Sequence, residues 1–104
     1  MAELQWLTHE QFVDRVSETF EVRDDSVTAV TLTLVDTSVS DASGGTGPDG
    51  AERRQFTLLF RGPVDPCLPQ RTYRLEHGEL GALDIFLVPI GPDSEGMRYE
   101  AVFA

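Results

Sequence analysis

The residues of this chain best suited to proton transfer or metal binding are two histidines, His9 and His77. An imidazole exchanges a proton near neutral pH and is a common metal ligand. His77 lies near Glu76 and Glu79, yet a zinc or calcium site needs three or four converging ligands, and none of the characteristic spacings occurs. His9 falls in the first turn of a predicted helix, where an exposed polar side chain is ordinary. We therefore predict no metal, no cofactor and no catalytic residue; an enzyme would require His77 within hydrogen-bond reach of a carboxylate and facing an open cleft.

Nucleophilic and anion-binding chemistry has weaker candidates. Cys67 lies in the proline-rich segment 62–69, with no neighbouring histidine or cation to favour a reactive thiolate. The glycines of segment 44–47 resemble a phosphate-binding loop only in glycine content, because neither the Lys-Ser/Thr ending nor a following helix pattern is present. Five arginines could form an anion-binding patch if their strands pair, although we favour ion pairing with the abundant carboxylates. They are Arg53, Arg54, Arg61, Arg71 and Arg74.

The charge of the chain narrows the classes of partner. Its 104 residues include 18 Asp and Glu against eight Arg, with no Lys, for a formal net charge of −10. Nucleic acids and anionic membrane surfaces are bound by clustered cations, so we expect neither partner. A single cysteine cannot form an internal disulfide, and the apolar run 85–90 is far shorter than the roughly 20 residues of a membrane helix. With no signal-peptide pattern at the N-terminus, we expect a soluble cytoplasmic domain.

A short N-terminal helix is predicted over residues 8–16. Thr8 and Gln11 have the spacing of a capping box, and Leu7 and Phe12 have that of a hydrophobic staple. Two turns of helix are not stable alone in water, so this helix must pack against other elements.

The rest of the chain alternates apolar and polar residues in short runs, which is typical of β-strands. In one run, for example, Phe56, Leu58 and Phe60 share a face. Six such runs without a βαβ rhythm predict a mainly β fold, an antiparallel sandwich or small barrel, in one domain over residues 1–104. The strands are expected at 19–23, 27–36, 53–61, 71–77, 83–90 and 98–103.

Two segments depart from simple alternation. Residues 38–52 are rich in Gly, Ser and Asp, which predicts a long flexible loop; the residues before it are too few for a separate core. Residues 83–90 are apolar on both faces, which predicts a strand buried from two sides, central in the core or covered by the helix or another subunit.

Several blocks along the chain together resemble a known family. They are the opening Leu-Thr-His-Glu-Gln-Phe of residues 7–12, the blocks 56–63, 70–77, 80–81 and 85–91, and the closing Tyr-Glu-Ala-Val-Phe of residues 99–103. This combination resembles a family of small bacterial domains of unknown function and spans nearly the whole chain apart from the glycine-rich segment. The resemblance brings no catalytic residues with it. An association of such domains with phage-tail-like genes implies a role in assembly.

We therefore expect a non-enzymatic protein-interaction or assembly module, an accessory of a phage-tail-like or other multisubunit complex. It would bind a protein partner or self-associate, and an exposed final strand would pair with the partner's edge. The alternative is a small-molecule-binding β-barrel with a pocket near four residues, Tyr73, His77, Phe86 and Tyr99.

Overall fold

A computed structural model describes residues 7–23, 30–46, 52–64 and 67–103. Within these residues, a short helical segment precedes six antiparallel strands. The strands are β1 (Thr19–Val22), β2 (Val30–Thr46), β3 (Glu52–Gly62), β4 (Arg71–His77), β5 (Gly81–Asp93) and β6 (Gly96–Phe103). The predicted mainly β fold with a short N-terminal helix is confirmed, and its form is the small barrel.

The six strands close on themselves in the order β1-β2-β3-β6-β5-β4. Four of the joins link strands that follow one another in the chain, and two are long-range. In the long-range joins, β3 pairs with β6 from Phe56↔Phe103 to Gly62↔Met97, and β1 pairs with β4 through Glu21↔Glu76 and Val22↔Leu75. Because β6 lies between β3 and β5, the final strand is not the exposed edge that we expected to pair with a partner.

Inward side chains from every strand form one core. The alternation predicted from the sequence holds in β3, where Phe56, Leu58 and Phe60 are all buried. Phe20 of β1 and Phe60 pack edge to face, with ring centroids 5.3 Å apart. A barrel of six strands has a narrow interior, and here apolar side chains occupy it.

The N-terminal segment consists of two successive 3-10 turns, His9–Gln11 and Val13–Arg15, in place of a regular α-helix. The side-chain oxygen of Gln11 accepts the backbone N–H of Thr8 at 2.7 Å, as the capping pattern predicts. Phe12, between the turns, is fully buried and closes one end of the barrel. Its ring lies within 6.1 to 6.4 Å, centroid to centroid, of the rings of Phe20, Phe56 and Phe103.

The predicted start of the loop at residue 38 is wrong. β2 continues to Thr46 and pairs with β3 as far as Thr46↔Glu52, so residues 38–46 belong to a strand. Register shifts on either side of Ser43 absorb extra residues of β2. Residues 47–51 lie outside the described residues, and the flexibility of the 38–52 segment stays a prediction.

The prediction that residues 83–90 are buried on both faces by the core or by the helix is also wrong, whereas cover by another subunit stays a prediction. Leu83, Ile85 and Leu87 point into the core, whereas Phe86 and Ile90 are exposed on the outside of the barrel. The apolar side chains on the outer face of β5 therefore contribute to the surface.

Candidate functional site

His77 lies at the end of β4, inside the barrel end that Phe12 closes. Its side chain is 6% exposed, and its ring centroid lies 4.7 Å from that of Phe20. His77 Nε2 is 2.6 Å from Glu18 Oε1, while Nδ1 accepts the backbone N–H groups of Glu79 and Leu80, each at 3.1 Å. Since Nδ1 accepts two N–H groups, this hydrogen-bond pattern assigns the ring proton to Nε2, which donates to Glu18.

Glu18 is the centre of a charged network around this histidine. Arg15 Nη1 lies 3.3 Å from Glu18 Oε1, and Arg15 Nη2 lies 3.5 Å from Glu79 Oε2. The hydrogen bond with His77 lowers the pKa of the Glu18 carboxyl below its ordinary value, and Arg15 acts in the same direction. The network joins the second 3-10 turn, the entry to β1 and the turn between β4 and β5.

An open depression of about 370 Å³ lies over this network, lined by Ser17, Glu18, Thr19, His77, Gly78 and Glu79. His77 therefore has a carboxylate within reach beside an open depression, which was our condition for an enzyme. Both of its ring nitrogens, however, are engaged inside the protein. A general base must direct a free lone pair at its substrate, and this ring directs none at the depression. The geometry is that of a histidine that fastens the barrel end.

The acids near His77 in sequence do not converge on it. Glu76, the preceding residue of the strand, lies on the outer face, where its Oε2 accepts Arg23 Nε at 3.0 Å. Glu79 turns toward Arg15. Across the four described ranges, no three His, Cys, Asp or Glu side chains are grouped so as to hold a metal ion.

The opposite end of the barrel is closed by the segment after β3. Leu68 is buried there, and its backbone N–H donates to Tyr99 Oη at 2.8 Å. Tyr73 Oη donates to the backbone oxygen of Pro69 at 2.5 Å. Burial raises the pKa of the Tyr99 phenol. The neighbouring Cys67 is exposed.

The four residues predicted to line a pocket do not share one. Tyr73 and Tyr99 are fully buried at one end of the barrel, and His77 is buried at the other. Phe86 is 47% exposed on the outside of β5, so it cannot line an interior pocket with the other three. Because the sequence of β5 is apolar at successive positions, it could not predict that Phe86 faces outward.

Ion pairing, which we favoured over an anion-binding patch, is confirmed for two arginines. Arg61 Nη2 lies 2.5 Å from Asp93 Oδ2, and Arg61 Nη1 lies 3.1 Å from Glu95 Oε2. Arg74 Nε lies 3.9 Å from Asp84 Oδ1 on the surface. The guanidinium of Arg71 stands 4.9 Å from the ring centre of Tyr73. The side chains of Arg53 and Arg54 lie outside the described residues.

The strand register brings together a surface feature that the sequence analysis missed. Ser38 pairs with Thr57, which pairs with Val102, so the three lie side by side on the outer faces of β2, β3 and β6. Val102 lies two residues beyond Glu100, which pairs with Val88 of β5. We call three residues the uncharged row: Ser38, Thr57 and Val102. Phe86 is exposed on the outside of the adjoining strand β5, beyond the last residue pair of its ladder with β6. Only the register, which includes a bulge at Val35, reveals it.

A second row runs beside it. Asp36 pairs with Leu59, Leu59 with Glu100, and Glu100 with Val88, again on the outer face. We call these residues the acidic row, after its two carboxylates. Within the described part of the chain, neither Asp36 nor Glu100 has an ion-pair partner.

Comparison with known proteins identifies a family and no more. The model of a family described as "Domain of unknown function (DUF6916)" matches residues 7–103. No curated protein and no solved structure gave a significant match. No helix within the described ranges is long and apolar enough to cross a membrane.

Proposed function

The chain belongs to this family of domains of unknown function, and we propose that it is a non-enzymatic module that binds another protein chain. The observation that carries the proposal is apolar exposure on the outer wall of the barrel: Val102 of the uncharged row is 59% exposed, and Phe86 of the adjoining strand β5 is 47% exposed. Single exposed apolar side chains are ordinary, whereas several on adjoining strands of one wall are typical of interaction surfaces. A rigid barrel wall holds them, which limits the conformational entropy lost on binding.

The hydrogen bonds of the groups suited to chemistry support a non-enzymatic role. His77 uses both ring nitrogens to hold the barrel end. The hydroxyls of Tyr73 and Tyr99 hold the backbone of the segment at the other end. Each of these groups is engaged in maintaining the fold, which supports the proposal.

The finer proposal is that the partner is a subunit of a larger complex, of which a phage-tail-like assembly is one form. Two observations support it: the family resemblance, and an outer barrel surface on which side chains, and not backbone groups, are available to contact a partner. In a closed barrel, most backbone hydrogen-bonding groups are satisfied between neighbouring strands, so the outer side chains do most of the recognition.

Site-directed photocrosslinking in cells that produce the protein naturally tests the proposal. A benzophenone amino acid would replace Phe86 in one variant and Thr31 in the other. Thr31 is an exposed residue of β2, the strand that lies across the closed barrel from β5. We expect a discrete heavier species from position 86, identified by mass spectrometry as one partner chain, and none from position 31. That partner should co-sediment with a multisubunit particle.

Two results would overturn the proposal. The first is the absence of any crosslinked species from position 86. The second is the same broad set of crosslinked species from both positions, which random collisions would produce. An adduct that does not co-sediment with a larger particle would contradict the assembly role while leaving the binding role intact.

A further inference from the structure

A small depression lies where the uncharged row crosses β2, β3 and β6. Its volume is about 160 Å³, and the described residues that line it are Ser38, Val39, Gln55, Phe56, Thr57 and Val102. Pockets for small molecules usually have about 300 Å³ or more, so this one is of a size for a single side chain. None of these lining residues is charged, although 25% of the chain is.

The exposed apolar wall of the depression is Val102 on β6, which is 59% exposed on the outer face. Val39 on β2 is 46% exposed but pairs with the inward Phe56, so it lies on the other face of the sheet. On that inner face, the rings of Phe56 and Phe103 stack, with centroids 4.4 Å apart and planes 8° from parallel. An aliphatic side chain that enters from the outer face would cover Val102 without disturbing the core.

The acidic row borders this depression on one side. Asp36, Leu59 and Glu100 each stand two residues along their strands from Ser38, Thr57 and Val102 respectively. At about 3.3 Å per residue, the two rows are roughly 7 Å apart. Asp36 Oδ1 accepts the backbone N–H of Thr37 at 2.9 Å, which fixes one carboxylate on the surface.

From this juxtaposition we infer that the depression binds one aliphatic side chain of a basic segment of the partner, whose Arg or Lys about 7 Å away meets Asp36 and Glu100. The inference rests on the proposed function and specifies the chemistry of the partner. An extended segment places alternate side chains at this spacing, so an aliphatic residue and a basic residue two positions apart would fit both rows.

A second copy of the chain is the less favourable occupant. The net charge is −10, and a symmetric pair would bring its acidic rows close to one another. Opposed like charges cost binding energy, while a basic partner turns the same carboxylates into attractive contacts.

Selection from a displayed library of random peptides tests the inference. The full chain is the bait, and the enriched peptides are then titrated against four variants. Thr57→Leu fills the depression, Val102→Ser removes a wall, and Asp36→Asn with Glu100→Gln neutralises the acidic row. Thr31→Leu, a matched change on the outer face of β2 away from the depression, is the control. Thermal unfolding establishes that each variant is folded.

We expect the enriched peptides to carry Leu, Ile or Val two positions from Arg or Lys. Thr57→Leu and Val102→Ser should each weaken binding about tenfold. The double neutralisation should weaken it severalfold and flatten its salt dependence, while Thr31→Leu leaves it unchanged. Failure to enrich any peptide, enrichment of acidic peptides, or equal binding to the filled variant would overturn the inference. So would a dimer in sedimentation that Thr57→Leu dissociates, because the occupant would then be a second copy.

The photocrosslink at position 86 separates this inference from the proposed function. If a Thr57→Leu chain still captures the same partner undiminished, the depression is not the contact, but the module still binds a protein. If position 86 captures nothing even in the unaltered background, the proposed function itself fails.

Discussion

The two ends of the barrel are closed by different kinds of contact. At the N-terminal end, Phe12 covers the core and a partly exposed charged network fastens it, with Glu18 between Arg15 and His77. At the other end, Leu68 covers the core, and tyrosine hydroxyls bond to the backbone of the covering segment. The apolar part of each closure is alike, whereas the polar part is ionic at one end and uncharged at the other.

Because their polar contacts differ, the two ends of the barrel should lose stability under opposite conditions of pH. An ionised carboxylate that is held by partners loses its contacts when acid protonates it. A buried phenol is held in its neutral form and is lost to the fold when base ionises it. The apolar closures should be insensitive to both.

The largest expected loss of stability comes from truncating the apolar side chain that closes each end of the barrel. Phe12→Ala should lower the free energy of unfolding by about 3–5 kcal/mol, because it leaves a cavity among buried rings, and Leu68→Ala by about 2–5 kcal/mol at the other end. Urea denaturation followed by circular dichroism measures both. Val13→Ala, on the exposed side of the same segment, should change the stability by no more than about 0.5 kcal/mol. A Phe12→Ala variant as stable as this control would show that the N-terminal segment does not close the barrel.

The second largest loss of stability is expected at the barrel end that Leu68 closes, where Tyr99 bonds to the backbone. Tyr99→Phe should cost about 1–3 kcal/mol, because it leaves the buried N–H of Leu68 without its acceptor. Since the pKa of Tyr99 is raised above its ordinary 10.0, the stability it supplies is fully present below pH 10.0 and is lost as pH rises through the folded value. Unfolding midpoints measured at increasing pH should fall in the unaltered chain and fall less steeply in Tyr99→Phe. Parallel curves would contradict the assignment.

The smallest effect at neutral pH is at the charged end. The pKa of Glu18 is lowered from 4.5, so its contribution is present above pH 4.5 and disappears as pH falls through the lower, folded value. Glu18→Gln should therefore flatten the acid limb of the stability curve and leave the alkaline limb unchanged. Glu10→Gln, an exposed carboxyl on the same segment, serves as the control. Acid curves of the same shape in both variants would show that the Glu18–His77 contact does not stabilise the fold.

Much of the fold could be predicted, because burial of alternate side chains is a local pattern. The inward Phe56, Leu58 and Phe60 of β3 follow directly from it. The pattern fails where composition and pairing disagree. Residues 38–46 have loop-forming side chains, yet their backbone pairs with β3, and backbone hydrogen bonds need no particular side chain. On β5, an exposed Phe86 has the same apolar character as its buried neighbours, so alternation could not assign the faces.

The site could be predicted far less well, because its parts meet only across the sheet. Glu18 and His77 are 59 residues apart in the chain, and no local spacing joins them. The uncharged row depends on the register of two strand pairs, β2 with β3 and β3 with β6, and the first contains a bulge at Val35 that shifts every later residue of β2 by one. Composition indicated only that the surface would be acidic, and the uncharged depression is the exception to it.

The position of β6 between β3 and β5 has a consequence for the way the chain is made. Until the ribosome has added residues 96–103, the edges of β3 and β5 that will pair with β6 are uncovered. The five earlier strands cannot close the barrel without it. Folding then waits for translation of this strand, and its long-range pairings make the final step slow relative to local helix formation. Premature termination before residue 96 would release an aggregation-prone fragment with unpaired strand edges, a substrate for chaperones or proteases.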